Sequence, residues 1–125
     1  MREFKSGATR DNNEGKNDYE GFLSPLVIEA FGNYMTKHRK QADGKLRDSD
    51  NWQKGFGDEH FAVCIKSLLR HFHDLWMEHR GYESREGLED AINGILFNTM
   101  AYYHQYLINK RKQEKTKQAN NGKWT

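Results

Sequence analysis

Cysteine, proline and long apolar runs are scarce in this chain of 125 residues, and each shortage narrows what it can be. The single cysteine, Cys64, excludes an intramolecular disulfide; set in an apolar helical stretch, it reads as a small core residue of a protein kept in a reducing compartment. No run of about 18 apolar residues offers a membrane span, and MREFKSGATRDNNEGK lacks the apolar centre of a signal peptide. A cytosolic protein without a membrane partner is expected. Glycine-rich loops leading into a helix are missing, no histidine and cysteine spacing suits zinc, and no nucleophile stands beside an obvious base. Catalysis is thereby confined to metal-assisted chemistry. There is no internal repeat and no alternation that predicts a strand.

What the chain does have is enough apolar material for one domain with a modest core, 35% of its residues, including seven Phe, six Tyr and three Trp. The polar average and polar ends make the packed part shorter than the chain, so a homo-oligomer is expected to supply the missing burial. Charge is uneven: from Lys110 onward, five lysines and one arginine against Glu114 give +5, leaving −3 for the rest of a +2 chain. A basic tail on a slightly acidic body is unlike a sequence-specific nucleic-acid reader, which sets its basic residues on a folded face among aromatics.

Residues 1–24, rich in Gly, Asn, Asp and Lys, read as an irregular arm. Ser24-Pro25 supplies an N-cap and a first-turn proline for a helix from Pro25 to about His38, with Leu26, Val27, Ala30, Phe31, Tyr34 and Met35 at helical spacing. A loop of about twenty residues follows, long enough in a compact domain to suggest a function. The second helix is predicted from Asp58 or Glu59 to Gly81, with Phe61, Ile65, Leu68, Leu69, Phe72, Leu75 and Trp76 as its apolar stripe. A third, capped by Ser84, carries Leu88, Ile92, Ile95, Leu96, Thr99 and Tyr103 to about Asn109. The short turn between them makes these two antiparallel neighbours. The expected architecture is all-α: a small bundle of three to four helices over 25–109, with a long loop, an arm at 1–24 and a tail at 110–125.

At about 100° per residue, Ser67, His71, Asp74 and Glu78 share one face of the second helix, away from the apolar stripe. Glu86, Asp90, Asn93 and Phe97 share a face of the third, with Glu89 on its flank and His104 further along. Facing one another, such ladders could hold Mg²⁺ or Mn²⁺, since hard cations take several oxygen ligands. Polar residues at these intervals also describe any solvated helix face. Two features favour a site. Gly94 and Asn98 are disfavoured inside a helix unless close packing or a buried polar contact requires them. Lys66, Arg70 and His73 gather on one edge of the polar arc and His71, Asp74 and Glu78 on the other, a layout for phosphate beside metal. The adjacent His73-Asp74 resembles the metal-binding pair of HD phosphohydrolases, although neighbouring helical positions point about 100° apart.

Four ordered blocks, SGATRDNNEGKNDYEGFLSPL, RDSDNWQKG, SLLRHFHDLWMEHRG and GLEDAINGILFNTMAYYHQYL, resemble the phage-associated dATP/dGTP diphosphohydrolase N-terminal domain family over roughly residues 5–107. The marks are Gly7 with Arg10 and Asp11, Lys16, Asn51-Trp52 with Lys54-Gly55, and Arg70-His71. The resemblance implies an all-α domain similar to MazG-like pyrophosphohydrolases, which cleave a (deoxy)nucleoside triphosphate to monophosphate and pyrophosphate with Mg²⁺, here in a host cytoplasm. It places His71, Asp74 and Glu78 in the first catalytic ladder and Glu86 or Glu89 with Asp90 and Asn93 in the second. His71 stands where a glutamate is expected and Asn93 where an aspartate is, which lowers the charge offered to metal. Asp74, Glu78, Glu86, Glu89 and Asp90 are then the metal candidates. Arg10, Lys16, Asn51, Lys54, Arg70 and Asn93 are candidates for substrate contact; Trp52 would stack a base or cover the core. A nucleotide-sequestering protein and a helical interaction module remain the alternatives.

Overall fold

The computed structural model describes residues 2–12 and 14–122, which form an all-α protein in two compact units, 1–30 and 31–125. In the first unit, β1 (Arg2–Glu3) and β2 (Thr9–Arg10) pair antiparallel, Arg2 opposite Arg10, around a turn with Gly7 at φ 88°. Two-residue strands are too short to show alternation, which is why the arm reads as irregular. The single turn of α1 (Tyr19–Phe22) is set by Asp18, whose carboxylate accepts from the Gly21 N–H at 3.1 Å.

Helix α2 (Pro25–Lys37) starts where the Ser24-Pro25 signal puts it, the Ser24 hydroxyl accepting from Val27 N–H at 3.3 Å. Its expected apolar stripe is only partly used. Tyr34 is buried, whereas Leu26 stays 81% exposed.

The second unit is built on an antiparallel hairpin of α3 (His60–His79) and α4 (Leu88–Gly122). Pairings of His60 with Ala101, Ser67 with Asn98 and His71 with Gly94 run in opposite senses along the two helices and fix the register. Helix α3 ends in a Schellman motif: Gly81, at φ 84°, donates to the Glu78 carbonyl and Tyr82 to that of Met77. Helix α4 continues past Asn109 to Gly122, because residues 110–121 contain neither proline nor glycine and are rich in helix formers. The expected tail is therefore helical as far as Gly122, and residues 123–125 lie outside the described residues.

The seam of the hairpin is polar. His60, Cys64 and Asp74 of α3 and Ala91, Asn93, Asn98 and Ala101 of α4 are buried, while Ile65, Leu69, Phe72 and Trp76 remain 44–58% exposed. Four residues of the apolar stripe expected to form the core thus face outward, while Phe61, Leu68 and Leu75 are half-buried. Small residues explain the close approach: a Cβ on Gly94 would lie 2.5 Å from the His71 ring. Asn98 donates to the Gly94 carbonyl at 2.8 Å and to Ser67 Oγ at 3.2 Å, bridging the helices. His60 Nδ1 accepts from Phe56 N–H at 3.0 Å, so the Nε2 proton donates to the Ala101 carbonyl at 2.9 Å.

Between α2 and α3 the long loop is ordered. Residues 39–47 form a small hairpin, Arg47 N–H donating to the Arg39 carbonyl and Gln41 N–H to that of Lys45, with Gly44 at φ 83° in its turn. A 3-10 turn, Asn51–Lys54, then lays Trp52 edge-on against Phe97 and His104 of α4, with ring centroids 6.0 and 5.1 Å away.

Candidate functional site

One end of the polar seam gathers ionisable groups. His71, Asp74 and Glu86 each present a ligand atom within 4.8 Å of the others, the first two from α3 and the third from the turn that leads into α4. His71 Nδ1 meets Glu86 Oε1 at 2.6 Å. Arg85 reaches Asp74 Oδ2 through both Nη2 at 2.7 Å and Nε at 3.2 Å, with its Nη2 3.8 Å from Glu86 Oε1.

Burial alone would raise the Asp74 carboxyl. The Arg85 hydrogen bonds and charge, helped by Glu86 and His73, outweigh it and hold the group below its ordinary range. The same contact, together with the charge of Asp74, raises the Arg85 guanidinium.

The neighbouring carboxylates hold the surrounding architecture. Glu78 Oε1 accepts from both the N–H and the hydroxyl of Ser84, at 3.2 and 3.0 Å, and Ser84 Oγ accepts from Gly87 N–H at 2.9 Å. Ser84 therefore ties the end of α3 to the entry of α4. Asp90 pairs with Lys37 of α2 at 2.9 Å, both side chains partly in water. Glu89 is exposed on α4 and Asn93 is buried there.

Two depressions lie in the same unit, the first of them at this cluster. The first, of about 500 Å³, places Arg70, His73, Met77, Glu83 and Arg85 around Asp74, so two residues of the cationic edge of α3 share a cavity with one of its acidic edge. The second, of about 530 Å³, is an aromatic cleft lined by Tyr34, Trp52, Phe56 and Phe97, with Arg39 and Arg47 on its wall. Tyr34 connects this cleft to the cluster. Burial raises its phenol, and the charges of Glu86 and Asp90 raise it further. Among the described residues neither Arg39 nor Arg47 pairs with a carboxylate; Arg39 Nε donates to the Arg47 carbonyl at 2.8 Å and Arg47 Nη1 to that of His38 at 2.9 Å. These bonds hold the two guanidiniums on the wall of the cleft, to whose lining Asp48 also contributes.

Of the residues expected from sequence, His71, Asp74, Glu78, Glu86 and Asp90 lie along one end of the seam. Arg70 borders it through the first depression, and Asn51 with Trp52 lines the aromatic cleft. Lys54 is exposed at the end of the 3-10 turn, and Arg10 and Lys16 are exposed in the first unit. Sequence reasoning missed Arg85, Lys37, Tyr34, Arg39 and Arg47. Arg39 and Arg47 carried a readable signal, flanking a Gly-containing turn inside an over-long loop; Arg85 had none, because its partner lies a full turn region away.

No protein-family model, characterised protein or solved structure matches the chain.

Proposed function

We propose that the protein is a metal-dependent nucleotide pyrophosphohydrolase that converts a purine (deoxy)nucleoside triphosphate, dATP or dGTP, to monophosphate and pyrophosphate. The observation that carries this reading is the convergence of His71, Asp74 and Glu86 within 4.8 Å, in a unit that also holds an aromatic cleft with Arg39 and Arg47 on its wall. An aromatic and cationic cleft suits a ligand that is planar at one end and anionic at the other.

One imidazole and two carboxylates suit Mn²⁺ and, less closely, Mg²⁺, which prefers oxygen. Asp74, Glu86 and His71 would hold the ion, with Asp90 and Glu78 as further carboxylates on the same end of the seam. The bound ion would supply neutralisation of phosphate oxygens and a water of lowered pKa. The chain's own residues do the rest. Trp52, Phe56 and Phe97 offer faces and edges to a base, Arg39 and Arg47 meet phosphate charge, and Arg70 adds charge beside Asp74. The family resemblance adds the choice of a purine deoxynucleotide and a host-cytoplasm setting, and the polar composition adds a homo-oligomer.

A second reading, sequestration of the nucleotide without turnover, is favoured by one observation: Asp74 and Glu86 already have protein partners, Arg85 and His71, in place of a full carboxylate set. Incubation with dATP or dGTP and Mn²⁺ or Mg²⁺ separates the two. Release of pyrophosphate that is lost in Asp74→Ala with Asp90→Ala supports the enzyme. Thermal stabilisation by dATP without pyrophosphate supports sequestration, since a ligand bound only by the native state raises its stability. Neither response overturns both.

A further inference from the structure

Helix α4 outruns the hairpin to which it belongs. Helix α3 starts at His60, level with Ala101, so α4 runs about six turns past that start before it ends at Gly122. From Lys110 to Asn120 the backbone is helical and every side chain is exposed. Lys110, Arg111, Lys112, Lys115 and Lys117 stand there against Glu114 alone, and among the described residues none of the five pairs with a carboxylate.

The charge is also one-sided. At about 100° per residue Glu114 lies beside Lys110 and Lys117, whereas Arg111, Lys112 and Lys115 share an arc of about 100° that it does not enter. Like charges three and four residues apart weaken a helix, so an anionic partner on this arc would relieve a repulsion that the chain leaves standing. The helix dipole favours cations in the last turn alone, and Arg111 to Lys115 lie about two to three turns short of Gly122.

What the extension lacks narrows the partner. Residues 110–120 contain no Leu, Ile, Val, Met or aromatic residue, so there is no apolar face for a groove or a lipid surface and no ring to stack on a base. Charge is all it offers. Five cations within 110–117 place a positive charge about every 2 Å along the axis, close to the spacing of about 1.7 Å between the phosphates of a double strand and unlike the spacing of about 3.4 Å along a single one. A helix with its side chains, about 10–12 Å across, also matches the major groove of B-DNA at about 12 Å, whereas that of duplex RNA is deep and narrow.

From these observations we infer that the α4 extension docks on the phosphates of duplex DNA without reading their sequence. This docking is independent of nucleotide turnover, because none of the five cations belongs to the His71, Asp74 and Glu86 cluster or to the aromatic cleft.

The test is fluorescence anisotropy of a labelled duplex DNA titrated with the full chain at about 50 and about 200 mM salt. About three to five phosphate contacts give an expected loss of affinity of about 40- to 500-fold across that interval. Arg111→Gln with Lys112→Gln and Lys115→Gln, all at exposed positions, should weaken binding at the lower salt by at least about tenfold and flatten the salt dependence. Two duplexes of unrelated sequence should bind alike. No binding by the wild type, or equal binding by wild type and triple variant, overturns the docking. Tighter binding to one of the two sequences, to duplex RNA or to phosphatidylserine vesicles overturns sequence-independent docking on DNA. Should the triple variant lose its helical circular dichroism, Arg111→Gln alone replaces it, with the slope of log affinity against log salt falling by about one; an unchanged slope overturns the docking.

Discussion

The inner and outer sides of the α3–α4 hairpin are made by opposite chemistry. Inside are His60, His71, Asp74, Asn93 and Asn98, with Gly94, Ala91 and Ala101 between them; outside are Ile65, Leu69, Phe72 and Trp76. A hairpin stabilised by burying apolar area would reverse this arrangement. Polar groups are buried at a cost unless each finds a partner. Here they do: among the described residues no buried side-chain nitrogen or oxygen lacks a hydrogen bond. The difference teaches that the inner side is organised by specific contacts, and the outer side by area that a single chain does not cover.

The comparison is broken most severely at Gly94. Valine there drives a side chain into the His71 ring, which a Cβ alone already approaches to 2.5 Å. The expected loss is roughly 2–3 kcal/mol, a fall in Tm of about 10–20 °C by thermal unfolding, outweighing the gain in helix propensity over glycine.

A smaller effect separates charge from shape at Asp74. Its carboxyl is held below the usual range in the folded protein, so its contribution is present above the unfolded value near about pH 4 and is lost as pH falls through the lower folded value. Asp74→Asn keeps the shape and removes that titration. Stability followed by denaturant unfolding between pH 2 and 7 should therefore fall less steeply below about pH 4 in the variant than in the wild type.

The smallest expected effect sharpens the contrast between seam and surface. The Lys37–Asp90 pair spans α2 and α4 but is 60% and 36% exposed, so Lys37→Ala should change stability by no more than about 1 kcal/mol in the same unfolding measurement.

Much of this fold was legible because its signals are local. Ser24-Pro25 marked the start of α2, Gly81 the end of α3, and the short 80–87 turn the antiparallel pairing. Gly94 and Asn98 were also readable, as residues a helix does not want without a reason, and the reason is His71 for one and Ser67 for the other. Periodicity identified both stripes of α3 but not which one turns inward. That choice depends on contacts across the seam, Gly94 against His71 and Asn98 against Ser67, which the spacing within one helix does not specify. Of the two ladders read from spacing, His71, Asp74 and Glu78 on one helix and Glu86 or Glu89 with Asp90 and Asn93 on the next, the structure brings His71, Asp74 and Glu86 together, while Glu78 turns to Ser84 and Asp90 to Lys37. Arg85 was not legible, because its role arises from how the turn after α3 folds back on the helix, whereas Arg39 and Arg47 flank a Gly-containing turn in a loop whose length alone hinted at a function.

Whether the inner side is a site as well as a seam is tested most directly by Mn²⁺ titration calorimetry in the presence of dATP. Wild-type protein should bind the ion with a saturating heat that disappears in Asp74→Asn and in Glu86→Gln while both variants retain helical circular dichroism. Equal Mn²⁺ binding by wild type and both variants, or none by any of them, would contradict it.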